Sequence, residues 1–333
     1  MINDGIHRDP SIVVTGAGGF IGGAIVARLV ADGCTDVRAV DVKPLLDWHR
    51  HTPGVDERVA DLTLRDACYQ AAEGRDQVYN FAADMGGMGF LENNKAECML
   101  SVLINTHMLL AARDCGAERF FFSSSACVYN AERQASPEVT ALRESDAYPA
   151  LPEDGYGWEK LFSERMCRHF TEDYGLEARI ARYHNVYGPH GTWDGGREKA
   201  PAAICRKVAV AKAQGLTDLQ VWGDGEQTRS FLYIDDCVEG TLRLMASDVR
   251  VPVNLGSDRL ISINGLIDIT EAIAGVRLER HYELGAPQGV RGRNSDNTLV
   301  RSLLGWEPTT TLEAGMAVTY EWIEDQVIKS QRC

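Results

Sequence analysis

The sequence predicts an α/β fold: a doubly wound parallel sheet with a smaller, discontinuous second domain. Two observations carry the first part. Short apolar runs rich in β-branched residues alternate with helix-length segments to about residue 186, and such βα units build a parallel sheet covered on both faces. The first of these runs leads directly into a glycine-rich turn and then a helical segment, which is how a Rossmann-type unit opens. The second domain is predicted from the loss of that alternation after about residue 186.

In chain order, Ser11-Ile12-Val13-Val14-Thr15 reads as the first strand, and a helix from Ile21 to Val30 follows and stops near Gly33. Val37 to Asp41 is the second strand. Further strands are expected at Arg58 to Ala60, Gln77 to Phe81, Arg119 to Ser123 and Ala178 to Tyr183. Long helices are expected over Ala96 to Asp114 and Trp158 to Tyr174. Gly188 to Lys199, rich in glycine and charge, reads as a loop. Helical pattern returns at Ala200 to Gln214 and Asp235 to Met245, and Val251 to Leu255 reads as a short strand. The expected division is 1–186 with 230–260 for the sheet domain, and 187–229 with 261–333 for the second.

Composition excludes several function classes. The 333 residues carry 34 Lys+Arg against 48 Asp+Glu, a formal net charge of −14, which argues against nucleic-acid and anionic-membrane partners. No apolar run approaches the ~20 residues that cross a bilayer. Met1 to Pro10 is polar and mixed in charge, unlike a signal peptide. The cysteines lie at 34, 68, 98, 115, 127, 167, 205, 237 and 333, with no Cys-x-x-Cys and no Cys/His cluster. That spacing argues against a disulfide framework and against a metal site. A cytoplasmic setting is the simplest expectation.

The glycine-rich turn is Thr15-Gly16-Ala17-Gly18-Gly19-Phe20-Ile21-Gly22. Glycines at 16, 19 and 22 permit a tight turn and let backbone N–H groups approach a pyrophosphate. The helix that follows presents unpaired donors and a positive dipole end to it. Gly16, Gly19, Phe20, Ile21 and Gly22 are therefore the expected cradle of a dinucleotide. Asp41, at the end of the second strand, is placed to accept hydrogen bonds from a ribose and to repel a 2′-phosphate, so NAD is favoured over NADP. Asp61 is a weaker candidate for the adenine side.

Tyr156 and Lys160 stand four apart near the start of a helix and share one face of it. Trp158, Phe162, Met166 and Phe170 form an apolar stripe on roughly the opposite face, and are expected to be core. An ammonium beside a phenol favours the phenolate, and a phenol so tuned takes a proton from a sugar hydroxyl while hydride leaves the same carbon. Ser125 ends the strand Arg119-Phe120-Phe121-Phe122-Ser123, at the end of a parallel sheet where ligands bind, and is placed to hydrogen-bond the reacting oxygen. Cys127 follows two residues later.

Together these residues resemble the extended short-chain dehydrogenase/reductase family, with its glycine-rich turn, serine-rich strand end and Tyr-x-x-x-Lys. Longer strings narrow the likeness to the branch of that family that epimerises a GDP-hexose at C3 and C5. Phe81-Ala82-Ala83-Asp84-Met85-Gly86-Gly87-Met88-Gly89-Phe90 is similar to its substrate loop. So are Ser124-Ser125-Ala126-Cys127, Tyr183-His184-Asn185-Val186-Tyr187-Gly188-Pro189 and Gly195-Gly196-Arg197-Glu198-Lys199-Ala200-Pro201 to other segments of that branch. Trp222 to Ser230 and Val290 to Asn297 complete the set, and the likeness runs from about Val13 to Trp322.

The resemblance implies an isomerase with bound NAD that converts GDP-mannose to GDP-L-galactose, with GDP-L-gulose as a side product, and that works as a homodimer. It implies that Tyr156, Lys160 and Ser125 oxidise and re-reduce C4, with Tyr156 and Lys160 also contacting NAD. It implies that Cys127 and Lys199 are the acid/base pair at C3 and C5, without saying which serves which. Gly86, Ser125, Ala126, Cys127, Asn185, Glu198, Lys199, Ala200, Lys207, Gln227, Arg229 and Arg293 would line the nucleotide-sugar site.

The chemistry is coherent on its own terms. Hydrogens on C3 and C5 of a hexose are not acidic, but both carbons flank C4, and a ketone there acidifies both. Inversion then needs a group on each face of the ring. The basic residues Arg197, Lys199, Arg206, Lys207, Arg229, Arg291 and Arg293 suit a diphosphate in so acidic a chain. Other readings stay open at this point. A C4 epimerase of a UDP-hexose needs the Tyr, Lys and Ser but no second pair, and an NAD-binding scaffold needs no turnover at all. A 4,6-dehydratase would want carboxylates where Ala126-Cys127 stands.

Overall fold

A computed structural model describes residues 9–331; Met1 to Arg8, within the polar N-terminal stretch, and Arg332 and Cys333 lie outside the described residues. The first half runs β1 (Ile12–Thr15), α1 (Phe20–Ala31), β2 (Val37–Asp41), β3 (Asp56–Val59), α2 (Arg65–Ala72), β4 (Gln77–Asn80), α3 (Met88–Asn93), α4 (Lys95–Asp114), β5 (Arg119–Ser125), α5 (Tyr156–Tyr174) and β6 (Glu177–Tyr183). Then come β7 (Val186–Tyr187), α6 (Ala200–Gln214), β8 (Asp218–Trp222), β9 (Thr228–Arg229), β10 (Leu232–Tyr233), α7 (Ile234–Ala246) and β11 (Val253–Leu255). The chain ends with β12 (Ile261–Ser262), α8 (Ile263–Ala274), β13 (Glu279–Glu283), β14 (Gly292–Arg293), α9 (Thr298–Leu304) and α10 (Leu312–Ser330).

Seven strands form one parallel sheet in the order β11-β6-β5-β4-β1-β2-β3. Its order reverses between β1 and β4, and a crevice at the C-terminal strand ends beside such a reversal is where α/β sheets bind ligands. β5 shows how the sheet is covered. Phe120 and Phe122 point into the layer formed with Met108 and Leu109 of α4, while Phe121 points the other way, among Val14, Ile25 and Tyr183. All three rings are buried, each stabilising the fold by about 1.5–3 kcal/mol. α2, α4 and α5 cover one face; α1 and α7 cover the other.

The remaining short strands pair locally as β7-β10, β8-β13 and β12-β9-β14, and α6, α8 and α10 pack together behind them. No regular element interrupts the loop from Gly188 to Lys199. The eight described cysteines are all free thiols.

The apolar stripe on α5 departs from the expectation. Trp158 is 43% exposed and Phe162 52% exposed; only Phe170 of the four is buried. The covered face carries Leu161, Ser163, Glu164 and Cys167 instead, along with Tyr156 and Lys160, which are both buried. The reason is that α5 is wedged against α4, β5 and β6, so its polar-looking side is the inner one. Hydrogen bonds make that possible: Arg182 forks onto Glu164 at 2.7 and 2.8 Å, and Ser124 donates to Glu164 at 2.5 Å.

Candidate active site

The glycine turn is closed to side chains. Gly16 has φ +67, and a Cβ there would lie 2.8 Å from the Phe81 carbonyl carbon. A Cβ on Gly22 would lie 2.2 Å from the Gly16 oxygen. No side chain caps the N-terminus of α1, so its first N–H groups remain available beyond Gly19. Phe20 opens the helix with its ring over Gly191, and Ile21 follows it. Asp41 is buried at the end of β2; one carboxylate oxygen accepts the Gly18 N–H and the other the Lys43 N–H, both at 3.0 Å. Each oxygen keeps a lone pair for a ribose hydroxyl. Asp61 lies exposed after β3, where one oxygen accepts from the Thr63 N–H and hydroxyl. A backbone cradle and a buried carboxylate at these places fit NAD, with the pyrophosphate at Gly16–Gly22 and a ribose at Asp41.

Beyond the ends of β5 and β6 opens a cavity of ≈ 440 Å³. Its walls include Gly86, Ser125, Ala126, Cys127, Tyr156, Asn185, Glu198, Lys199, Ala200, Lys207, Gln227, Arg229 and Arg293. The structure thus brings together every residue expected to touch the sugar nucleotide. Apolar wall comes from Met85, Leu91, Ile204, Val221, Trp222, Phe231 and Ile267, which periodicity alone did not single out. Two loops close one side. The Gly87 N–H donates to the Arg197 carbonyl at 2.9 Å, and Arg197 reaches Asp84 at 2.6 Å with its guanidinium 3.9 Å over the Phe90 ring. Gln227 offers the cavity a buried amide oxygen that has no partner among the described residues, its Nε2 being spent on the Trp222 carbonyl at 3.1 Å.

Tyr156 is the first residue of α5, delivered to the cavity by the turn at Gly155, whose φ is +74. Ser125 shares that cavity wall, and its Oγ accepts the Cys127 N–H at 3.2 Å. Burial pushes the phenol upward, helped by Cys127 and Glu159, while Ser125 pulls it back. Lys160 is buried on the same face of α5 as the phenol. Lys160 lies under the wall rather than in it, with Nζ 5.5 Å from the Tyr156 ring centroid, 4.9 Å from that of Phe122 and 3.7 Å from the Glu159 carboxylate. Glu159 is tied down by Asn105 and by Ser163 (2.9 Å); Asn105 in turn accepts from Asn80 at 2.8 Å. Neither Asn105 nor Glu159 was legible as functional, since nothing in their local sequence marks them.

Cys127 sits in a tight turn after Ser125 and is buried. Burial, then Glu153, pushes its thiol up to about 11, against the pull of Arg293. Lys199 caps the N-terminus of α6 and is half-buried. Burial pushes its ammonium down, and Cys127 opposes that. Burial thus drives the two groups in opposite directions, the thiol up and the ammonium down.

The basic cluster is less free than its residue count implies. Arg197 pairs with Asp84, Arg206 with Glu198 at 2.7 Å, Arg291 with Asp224 at 3.0 Å and Arg293 with Glu153. Lys199, Lys207 and Arg229 have no carboxylate partner among the described residues. Lys207 donates to the Gln220 carbonyl at 2.8 Å and Arg229 to the Gln288 carbonyl at 3.0 Å. Burial beside Arg293 lowers Arg229 to about 10, which marks a cation short of counter-charge. Of these three, Lys207 and Arg229 are the cations left for a diphosphate once Lys199 is set aside for the sugar.

Comparison with known proteins places the whole chain among its relatives. The chain is 48% identical over 328 residues to GDP-mannose 3,5-epimerase 1 of Oryza sativa subsp. japonica, covering 96% of this chain and 83% of that one. It is 46% identical to GDP-mannose 3,5-epimerase of Arabidopsis thaliana, covering 96% and 84%. Identity falls to 28% for a probable GDP-L-fucose synthase of Oryza sativa subsp. japonica, at 96% and 94% coverage. Among solved structures, UDP-glucose 4-epimerase of Thermotoga maritima superposes with a TM-score of 0.85 at 24% identity, covering 95% of this chain and 99% of that one, and so speaks for the fold. MoeE5 in complex with UDP-glucuronic acid and NAD gives a TM-score of 0.80 at 27% identity, covering 95% and 99%. The model of the NAD dependent epimerase/dehydratase family matches residues 12–256, from the first strand of the sheet past its seventh, and it is to this family that the chain belongs.

Proposed function

We propose that the chain catalyses 3,5-epimerisation of GDP-mannose to GDP-L-galactose, with GDP-L-gulose as the product of a single inversion. The observation that carries this is Cys127 and Lys199 on the wall of the same cavity as Ser125 and Tyr156. A C4 epimerase has no use for the first pair. The drop from 46–48% to 28% identity between relatives named as 3,5-epimerases and a fucose synthase supports the same reading.

The residues divide the work. Tyr156 acts as the phenolate, a form that Lys160 beside its ring favours, and its Oη takes the proton of the C4 hydroxyl, while Ser125 Oγ hydrogen-bonds the same oxygen as it becomes a carbonyl. Held at Gly16–Gly22 and Asp41, NAD would supply a hydride acceptor for C4 and, in its reduced form, the donor that restores it, with no net consumption. With C4 a ketone, the Lys199 amine removes the neighbouring carbon-bound proton, and the Cys127 thiol delivers one to the opposite face. Lys207 and Arg229 hold the diphosphate. Turnover in deuterated water tests this: deuterium enters the products at C5 and C3 by NMR, and the C4 hydrogen stays. Washout of the C4 hydrogen overturns the mechanism.

The same proposal includes a homodimer in a cytoplasmic setting. Met99, Leu100 and Leu103 on α4 and Trp158 and Phe162 on α5 are 40–52% exposed on adjacent helices. A contiguous apolar patch of that kind marks an interface, and two helices per subunit suit a four-helix contact between copies. Phe162→Glu is expected to halve the mass seen by light scattering at micromolar concentration. An unchanged dimer mass would place the interface elsewhere.

A further inference from the structure

We propose that Asp84 and Arg197 are positioning residues: their ion pair clamps the segment from Asp84 to Asn93 over the sugar site and keeps the C4 ketone inside until it is reduced again. The proposal rests on the C4 oxidation proposed above for this cavity.

The clamped segment roofs the cavity, and Met85, Gly86, Gly87, Met88, Gly89 and Leu91 all line it. Its inner side is fixed. The Asp84 N–H donates to Ser101 Oγ at 3.0 Å, and Leu91 packs with Cys98, Cys127 and Tyr156. Its outer edge meets the loop that carries Glu198 and Lys199. The Gly87 N–H donates to the Arg197 carbonyl at 2.9 Å, and a Cβ on Gly87 would lie 2.4 Å from the Glu198 carbonyl oxygen. Glycine is what lets the two backbones come this close. Further along, a Cβ on Gly89 would lie 3.4 Å from the Trp222 ring on another wall.

One residue ties the roof down. The Arg197 guanidinium meets the Asp84 carboxylate at 2.6 Å and lies 3.9 Å from the Phe90 ring centroid. With its carbonyl on the Gly87 N–H, Arg197 grips the segment at Asp84, Gly87 and Phe90. Neither Asp84 nor Arg197 lines the cavity, so both act through the residues between them and the sugar. The two side chains are 40% and 49% exposed. An exposed ion pair and an exposed cation–π contact are each weak. Such a clamp adds little to the stability of the fold and opens readily, which suits a roof that must admit a sugar nucleotide.

Closure matters because the oxidised sugar is held by no covalent bond. While C4 is a ketone, its hydride is on the cofactor and its hydroxyl proton is on Tyr156. If the roof opens then, the keto sugar nucleotide leaves two electrons poorer than the substrate. Those electrons stay behind as reduced nicotinamide, and the next oxidation has no acceptor. Two inversions prolong the life of the ketone beyond what a C4 epimerase needs, so this site has more to lose by opening.

The test is a double-variant cycle in the NAD-loaded protein: Asp84→Asn, Arg197→Gln and both together. The first readout is release of GDP-mannose into excess GDP, followed in a Tyr156→Phe background where no ketone forms. Arg197→Gln is expected to release it about tenfold faster. The double variant is expected to be no faster than Arg197→Gln alone, because the pair is already broken. The second readout keeps Tyr156 intact: absorbance of reduced nicotinamide builds up during turnover of Arg197→Gln, and epimerisation slows as it does. Unchanged release, or effects of the two substitutions that simply add, overturn the proposal. If release is faster and no reduced nicotinamide appears, turnover of the parent in deuterated water decides. Exchange at C3 and C5 then overturns retention of the ketone, and its absence refutes the C4 oxidation instead.

Discussion

Cys127→Ala and Lys199→Ala each lower epimerisation by about 10²–10⁴-fold, the range for removing a positioned acid or base, but they fail in different ways. Without the thiol, the Lys199 amine still takes the proton and hands one back to the face it came from. GDP-mannose recovered from deuterated water is then labelled and not inverted. Without the amine, neither label nor product appears. The difference follows from the direction in which the cavity drives the two groups: burial and Glu153 push the thiol up, and burial pushes the ammonium down. NMR of the recovered substrate separates the cases. Label without inversion in Lys199→Ala, and none in Cys127→Ala, would exchange the two roles.

What the sequence revealed of this arrangement followed the range of each signal. The turn at Gly16–Gly22 and the carboxylate at Asp41 were legible because glycine spacing and strand ends are local. The alternation of Phe120, Phe121 and Phe122 between two core layers needed only a period of two. Cys127 and Lys199 lie far apart in the chain, and only the resemblance of long strings put them together; their separate surroundings say nothing of a shared cavity. Arg293 on Glu153, Arg197 on Asp84 and Asn105 on Glu159 were out of reach, because each joins side chains more than 50 residues apart with no periodic trace. The stripe on α5 misled for another reason. Periodicity reports that one helix face is apolar, but not whether the same chain or a second copy covers it. The inner face of α5 looked polar because its charges, Glu164 with Arg182 and Glu159 beside Lys160, are paired in the interior.

Tyr156→Phe is expected to remove both inversions and also the label exchange that Cys127→Ala retains. Every later step needs the ketone, and the phenolic oxygen is the group placed to take the C4 hydroxyl proton. The loss is again about 10²–10⁴-fold, roughly 3–5 kcal/mol of barrier. The ring stays in its buried seat at the head of α5, among Leu91, Cys98 and Cys127, so the fold and the cavity wall persist. Ser125 keeps its hydrogen bond from the Cys127 N–H. Binding of GDP-mannose therefore changes little while turnover collapses, and calorimetry beside the exchange assay reads both. Exchange at C3 and C5 that survived in Tyr156→Phe would mean the two hydrogens are loosened without oxidation at C4, and the assignment of Tyr156, Ser125 and Lys160 to that step would fall with it.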